Sequence, residues 1–328
     1  MTKNLDNSAC HEIDVSASAG RIYEVLTDVA QWPTIFPPTI HAVSRPMAES
    51  EEIVDIWATA GDQVKSWSSR RWFNGSLRID FTQQVPAEPI VEMSGSWIIE
   101  PRGATSARVR LLHSFSAAND EDLRWIDQTV DTNSRAELES LKHCIESDRA
   151  HAELRFDFAD EVTINGRLCD VYDFVNQADE WAERLPHVAT VRLTERTPGV
   201  QFLEMDTRSP DGSTHTTASH RICFEPERIV YKQVALPSLM QLHTGQWTFT
   251  EEAGHVVASS AHSVVIEPTR IRAVLGPAAT LDDAKAYLRN ALSANSRATL
   301  GYAKKHVEAM AARQGSTPVQ SRPGATDH

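Results

Sequence analysis

The sequence repeats itself once, at a spacing of about 150 residues, and this restricts the fold more than any other feature. Arg71 recurs as Arg221, and Gly95-Ser96-Trp97 recurs as Gly245-Gln246-Trp247, both at an offset of 150. Trp32 recurs as Trp181, Ile22-Tyr23 as Val171-Tyr172 and His113-Ser114 as His262-Ser263, each at 149. Asn133-Ser134-Arg135 returns as Asn295-Ser296-Arg297 at 162, which places a short insertion before it. Solenoid repeats have periods of roughly 20–50 residues, so this one is the duplication of a whole domain. A chain of 328 residues accommodates two domains of ordinary size. The expected division is 10–150 and 151–313, with residues up to about 10 a loose tail. Residues 314–328, rich in Gly, Pro, Ser and Thr, are expected to be disordered.

Within the first copy, Glu12–Val15 reads as a strand. Ile22, Val25, Leu26 and Val29 then fall at the spacing of one helical face, behind caps at Ser16–Ser18. Trp32-Pro33 ends that helix, and Ile35-Phe36-Pro37-Pro38 forms a turn or short helical segment. Six strands follow between Ile40 and Phe115, separated by short runs rich in Gly, Pro, Asn and Asp, which predicts hairpins and a meander. A long helix from Glu121 to about Asp148 closes the copy, with Leu138, Leu141 and Ile145 on one side. The second copy repeats this order from Phe156 to a final helix over Leu281–Ala312. The fold class is α+β: in each copy a curved antiparallel sheet of about seven strands wraps a long carboxy-terminal helix, with two short helices between the first two strands. The space between a curled sheet and its helix is a natural pocket.

Lys65–Phe73 places an arginine in the middle of a strand. Side chains alternate between faces, so Trp67, Ser69, Arg71 and Phe73 share one face, and Ser66, Ser68, Arg70 and Trp72 share the other. If the first set faces inward, Arg71 is a fixed cation in a cavity, and a buried charge needs a partner. If the second set faces inward, Arg71 meets water. The return of Ser-x-Arg as Ser219-His220-Arg221 favours the inward arrangement, although the alternate face there, His220, Ile222 and Phe224, differs in chemistry.

Several functions are excluded or disfavoured. A net charge of −13 gives no electrostatic support for tracking nucleic-acid phosphates. No apolar run is long enough to span a bilayer, and the amino terminus lacks the apolar core of a secretory signal. Cys10, Cys144, Cys169 and Cys223 are scattered without metal-ligand spacing and read as reduced thiols of a cytoplasmic protein. No spacing among the histidines, His187, His215 and His220 included, supports a metal site, and no phosphate-binding glycine motif is present.

The segment Asp28-Val29-Ala30-Gln31-Trp32-Pro33, the strand Ser66–Arg71 and Asn133-Ser134-Arg135 together resemble the bacterial aromatic polyketide aromatase/cyclases, in their di-domain branch. The resemblance covers about residues 10–313 and implies the helix-grip fold shared with START and Bet v 1-like binders. It further implies cyclisation and dehydration of a poly-β-ketone tethered to an acyl carrier protein. In the di-domain branch the chain is usually ketoreduced at its ninth carbon, and the first ring closes between the seventh and twelfth carbons. Such chemistry moves no hydride and needs no redox cofactor. The implied partners are the acyl carrier protein and the ketosynthase or ketoreductase of the same synthase.

By motif match, Arg71 is the family's pocket arginine, able to donate paired hydrogen bonds to an enolate or ketone oxygen. Ser69 would orient a carbonyl or water. His113 would be the acid/base, and Asp131 on the closing helix would orient it or a water. Trp32, Phe36, Trp67 and Trp97 would shape the cavity and stack on a flat product, with Trp181 and Trp247 as counterparts. The second pocket would hold Arg221, Ser219 and His262, but Ser293 replaces Asp131 there, so the first pocket is expected to carry more of the chemistry. Competing readings make Trp97 and Trp247 core, His113 a satisfied strand-end histidine, and Asn133-Ser134-Arg135 a tie between helix and sheet. The alternative function is a non-catalytic carrier of a hydrophobic ligand. A pure carrier has little use for a cation in its cavity, and two arginines in equal register point instead to an oxygen-rich ligand.

Overall fold

The structure is a computed structural model and describes residues 5–61, 63–75, 77–147, 152–208 and 214–315. The first half runs β1 (Leu5–Val15), α1 (Ala19–Thr27), a helical turn over 29–31 and α2 (Trp32–Ile35). It continues through β2 (Thr39–Ala48), β3 (Glu51–Ala60), β4 (Gln63–Phe73), β5 (Arg78–Val85), β6 (Ile90–Pro101) and β7 (Ala107–Ala117) to α3 (Asp120–Glu146). The second half repeats this as β8 (Arg155–Ile164), α4 (Leu168–Asn176), α5 (Trp181–Arg184), β9 (Val188–Thr197), β10 (Val200–Arg208) and β11 (Thr214–Phe224). Then come β12 (Arg228–Ala235), β13 (Met240–Glu252), β14 (His255–Ile266), the added helix α6 (Ile271–Leu275) and α7 (Leu281–Gly315). Each half is one antiparallel seven-stranded sheet, in the orders β1-β7-β6-β5-β4-β3-β2 and β8-β14-β13-β12-β11-β10-β9.

Local chemistry sets the helix ends. Ser18 caps α1 by accepting the Arg21 N–H at 3.3 Å. Asn119 caps α3 by accepting the Asp122 N–H at 2.9 Å, and Asp120, Glu121 and Asp122 complement the positive end of the helix dipole. Ile126, Val130, Ser134, Leu138, Leu141 and Ile145 form the buried stripe of α3 against the sheet. The insertion inferred from the changed offset is the segment that carries α6, whose Ile271 packs with Leu239, Ile266 and Leu288.

Two boundaries are corrected. The loose tail expected before residue 10 is strand: β1 pairs with β7 from Leu5↔Ala117 through Val15↔Ala107. Its first half, Leu5-Asp6-Asn7-Ser8-Ala9, is mostly polar and carries little hydrophobic signal; the ladder holds it, with Asn7 donating to Asp127 of α3 at 2.9 Å. The final helix extends through Gly315, and the tail expected to be disordered otherwise lies, from 316 onward, outside the described residues.

The repeated glycine has a packing reason. A Cβ on Gly95 would lie 2.1 Å from the Leu112 carbonyl oxygen and 2.5 Å from the Phe81 ring. One on Gly245 would lie 2.4 Å from both the Ala261 carbonyl oxygen and the Tyr231 hydroxyl. In each copy a ring from the neighbouring strand lies over the bare backbone. Gly95→Ala should therefore destabilise the chain by about 1–3 kcal/mol through overpacking, read as a lower thermal midpoint.

The two halves meet through outer sheet faces. Ile40, Ile222 and Val230 form a small buried cluster with Trp57, Val64 and Phe224 against it. Phe224 meets the Trp57 ring edge-on at 5.3 Å and the His41 ring at 5.6 Å. The differing alternate face of the Arg221 strand is thus the face that its Ile222 and Phe224 turn toward the first half.

Candidate active site

The first cavity encloses about 1200 Å³ including its mouth, between the concave face of the sheet and α3. The alternation of β4 places Trp67, Ser69 and Arg71 inward, and all three line it. Phe36 stacks on Trp97 at 6.4 Å and meets Trp32 edge-on at 5.6 Å, so Trp32, Phe36 and Trp97 build one aromatic wall. Trp97 is both core and wall, which joins the two readings made of it.

Arg71 is only 2% exposed. Its Nη1 donates to the Leu26 carbonyl at 3.2 Å, where the last turn of α1 leaves carbonyls unsatisfied. Its Nη2 lies 2.7 Å from Glu52 Oε1, as an ion pair without an aligned hydrogen bond. The guanidinium sits over Trp32 at 5.1 Å and Phe73 at 5.4 Å, and its Nε has no partner. Burial pushes the arginine down and the Glu52 charge holds it up. The result is a fixed cation at the cavity wall with donor capacity in reserve.

Glu52 is absent from the residues expected at the site, although the hairpin encodes it. Ala60 pairs with Gln63, and that tight turn sets Glu52 opposite Arg71.

His113 lines the cavity from β7, with Nδ1 3.5 Å from Ser134 Oγ on α3 and its ring edge-on to Phe81. Burial, helped by the charge of His11, pushes it down to about 4, so it is neutral at pH 7 and offers one donor and one acceptor.

Asp131 does not join it, and this corrects the expected pairing. Its carboxylate is half exposed at the seam between α3 and β1, outside the cavity lining, and bonds to His11 Nε2 at 2.9 Å and Arg135 Nε at 3.0 Å. Hydrogen bonds from Arg135 and then His11 hold it down at about 2, so it is a poor base. Helical periodicity is the reason. The cavity-facing positions of this stretch are Val130, Asn133, Ser134 and Glu137, and Asp131 falls between them.

Glu137 is the acid that α3 does present. It lies one turn beyond Ser134 and lines the cavity, and it makes no hydrogen bond or ion pair with another described residue. Desolvation pushes its carboxyl up to about 7.

The second cavity is smaller, about 730 Å³, and more polar, and it is lined by Ser219, Arg221, His262, Trp181 and Trp247 among others. Arg221, again 2% exposed, donates from Nη2 to the Val175 carbonyl at 2.7 Å and sits 5.4 Å over Trp181. Gln201 faces it in the register that Glu52 holds in the first half, and its amide nitrogen donates instead to Glu195 at 2.8 Å. No carboxylate forms an ion pair with Arg221 among the described residues, and its Nη1 has no partner.

His262 stacks on Phe158 at 4.7 Å. Its Nδ1 lies 3.0 Å from both the Tyr231 hydroxyl and His243 Nε2, and its Nε2 lies 2.8 Å from Ser296 Oγ. Burial pushes His262 down to about 4 and His243 to about 3. The first copy has Phe81 and Met93 where Tyr231 and His243 stand, and Glu137 where the second has Thr299. Ser293, the counterpart of Asp131, donates to Asp160 at 2.7 Å, outside the cavity.

The model of the family described as polyketide cyclase/dehydrase and lipid transport matches residues 15–135 and again 164–285. The chain belongs to that family. It is similar to the granaticin polyketide synthase bifunctional cyclase/dehydratase of Streptomyces virginiae, 48% identical over 294 residues, which is 88% of this chain and 96% of that one. It is 38% identical to the actinorhodin polyketide synthase bifunctional cyclase/dehydratase of Streptomyces coelicolor, over 92% of this chain and 98% of the relative. Among solved structures, the di-domain ARO/CYC BexL from the BE-7585A biosynthetic pathway superposes with a TM-score of 0.83 at 51% identity. That match covers 92% of this chain and 99% of BexL. The di-domain ARO/CYC StfQ from the steffimycin biosynthetic pathway gives 0.83 at 34% identity, over 93% and 99%. This family member is a di-domain polyketide cyclase/dehydratase with tandem helix-grip domains. Among its described residues no helix is long and apolar enough to cross a membrane, and no group of three or more His, Cys, Asp or Glu could hold a metal.

Proposed function

We propose that the chain closes and aromatises the first ring of a ketoreduced poly-β-ketone held on an acyl carrier protein, with the first cavity as the main reaction site. The observation that supports this most is the meeting of a fixed guanidinium, a neutral imidazole and a carboxyl poised near neutrality in one aromatic-walled cavity. Ionised Glu137 takes a proton from a methylene flanked by two carbonyls. The enolate carbon, the twelfth, attacks the seventh-carbon carbonyl, and one carbon–carbon bond forms. The alkoxide takes that proton from the newly protonated Glu137, which is ionised again, while neutral His113 donates a hydrogen bond to the same oxygen. The hydroxyl at the seventh carbon and the one left by ketoreduction at the ninth then each leave as water. Each time Glu137 takes a proton from the neighbouring carbon and returns it to the departing hydroxyl. Enolisation of the remaining ring ketone completes the aromatic ring. Arg71 stabilises the enolate oxygen by its charge and by its Nε–H, and Ser69 orients a carbonyl. Every step is redox-neutral.

The second cavity has an arginine and histidines but no carboxylate matching Glu137, so it is the weaker base. The expected asymmetry between the pockets therefore rests on Glu137 and Thr299, in place of Asp131 and Ser293.

Incubation with a minimal polyketide synthase and its ketoreductase tests the proposal. Adding the chain should convert spontaneous shunt products into one product family with a closed aromatic first ring. Unchanged products, with a hydrophobic ligand co-purifying, would instead identify a carrier.

A further inference from the structure

The two domains hold the same turn of the pocket wall in different ways. The turn joins the short second helix to the strand after it: Phe36-Pro37-Pro38-Thr39 in the first domain and Leu185-Pro186-His187-Val188 in the second. Proline has no N–H, so a segment of this kind carries more carbonyls than it can satisfy with its own donors. In the second domain a cation of the same domain supplies them. Arg208, at the end of β10, donates from Nη1 to the Pro186 and Val188 carbonyls at 3.0 and 3.3 Å.

In the first domain the counterpart of Arg208 is Thr59. Its backbone N–H reaches the Pro38 carbonyl at 2.9 Å, as the Arg208 N–H reaches His187 at 2.8 Å, but its side chain is no cation. The Pro37 and Thr39 carbonyls are held instead by Lys232 of the second domain, at 2.9 Å each, with a third bond to the Phe36 carbonyl at 3.1 Å. All three ammonium protons are used.

Lys232 lies on the convex face of β12, where a lysine ordinarily reaches water, yet it is 6% exposed. The matching position in the first copy is Thr82, which is exposed. Burial lowers the ammonium to about 8, and the three carbonyls offset much of that cost. What it anchors belongs to the first cavity: Phe36 and Thr39 both line it, and the Phe36 ring bridges Trp32 and Trp97.

We infer that Lys232 is a positioning residue for the reaction in the first pocket, through which the second domain completes that pocket's aromatic wall in trans. This rests on the first cavity being the reaction site. The carboxy-terminal domain then contributes to first-ring formation without substrate entering its own cavity.

Full-chain variants test it. Lys232→Met should lower the yield of correctly closed ring relative to shunt products by about tenfold or more, as misplaced substrate-positioning groups do. It should also weaken binding of a dihydroxyanthraquinone probe, followed by quenching of tryptophan fluorescence. Thr59→Arg in the Lys232→Met background should restore both, because it supplies the cation from within the domain as Arg208 does. Lys232→Arg, which keeps a cationic donor, should retain more of both than Lys232→Met. A Lys232→Met chain with a lower thermal midpoint but wild-type product ratio and probe binding would overturn the inference. So would a loss that Thr59→Arg leaves unchanged while Lys232→Arg behaves like Lys232→Met. If the wild-type chain itself leaves the polyketide products unaltered, the proposed function fails. The probe-binding comparison would still decide whether Lys232 shapes the cavity.

Discussion

Glu137→Gln is expected to lower the rate of first-ring formation by about 10²–10⁴-fold, the range a positioned general base contributes, while leaving the fold intact. In the wild-type chain the rate should rise with pH and level off around an apparent pKa near 7, because the carboxyl must be ionised to take a proton. The amide in the Glu137→Gln variant does not titrate, so that limb should vanish. The same group makes a stability prediction of opposite direction. An unfolded glutamate releases its proton near 4.5, whereas folded Glu137 keeps it to about 7. Between those values the folded chain binds more protons than the unfolded one, so stability falls as pH rises through the window. Below it the burden is absent, and above it the burden is complete. Glu137→Gln should thus raise stability at pH 8 by about 1–3 kcal/mol and have little effect at pH 4. At the higher pH the variant should be more stable and less active at once. Thermal melts across pH, paired with product analysis, check both. A variant with unchanged rate and pH profile would remove Glu137 from the chemistry.

The second large effect separates what Arg71 does for the fold from what it does for the reaction. Arg71→Met leaves Glu52 buried without its cation and the Leu26 carbonyl without its donor. Breaking a buried pair in this way costs about 3–5 kcal/mol. Adding Glu52→Leu removes the stranded carboxylate, and a well-packed apolar pair can match or exceed the stability of the ion pair it replaces. The double variant should regain most of the lost stability, measured by denaturant titration. Ring formation should stay low, because the fixed guanidinium beside Ser69 and Trp32 that stabilises the enolate is gone. If the double variant recovers activity along with stability, Arg71 is a structural cation only. The second domain bears on the outcome. With Gln201 opposite Arg221 it shows that the guanidinium can be housed without a paired carboxylate, so Glu52→Gln alone should be milder than Arg71→Met.

The site is partly legible before any coordinates. Strand alternation puts Trp67, Ser69 and Arg71 on one face, and the duplication favours that face as the inward one, because the Ser-x-Arg pair persists while the opposite face changes. That opposite face changes for a reason outside the strand: Ile222 and Phe224 pack against the other domain. Asp131 and Glu137 show where one-dimensional reasoning stops. Both are acids on the same helix six residues apart; proximity to the Asn-Ser-Arg motif points to the first, while the inward face carries the second. The final choice depends on the helix's rotation about its own axis, which the whole buried stripe from Ile126 to Ile145 fixes against the sheet. Glu52 is recoverable in principle, since a tight hairpin fixes register by counting.

The sequence by itself determined the duplicated architecture and most of the strand and helix order, and it favoured the inward arginines, because these follow from periodicity and repetition along the chain. Only the tertiary structure decided which carboxylate meets the cavity, that His243 and Tyr231 surround His262, and that Lys232 of one domain holds the pocket wall of the other. Those facts arise from contacts between segments up to almost 200 residues apart. A proton's affinity or a carbonyl's need for a donor is set by what surrounds it in space, and residue order alone does not specify those surroundings.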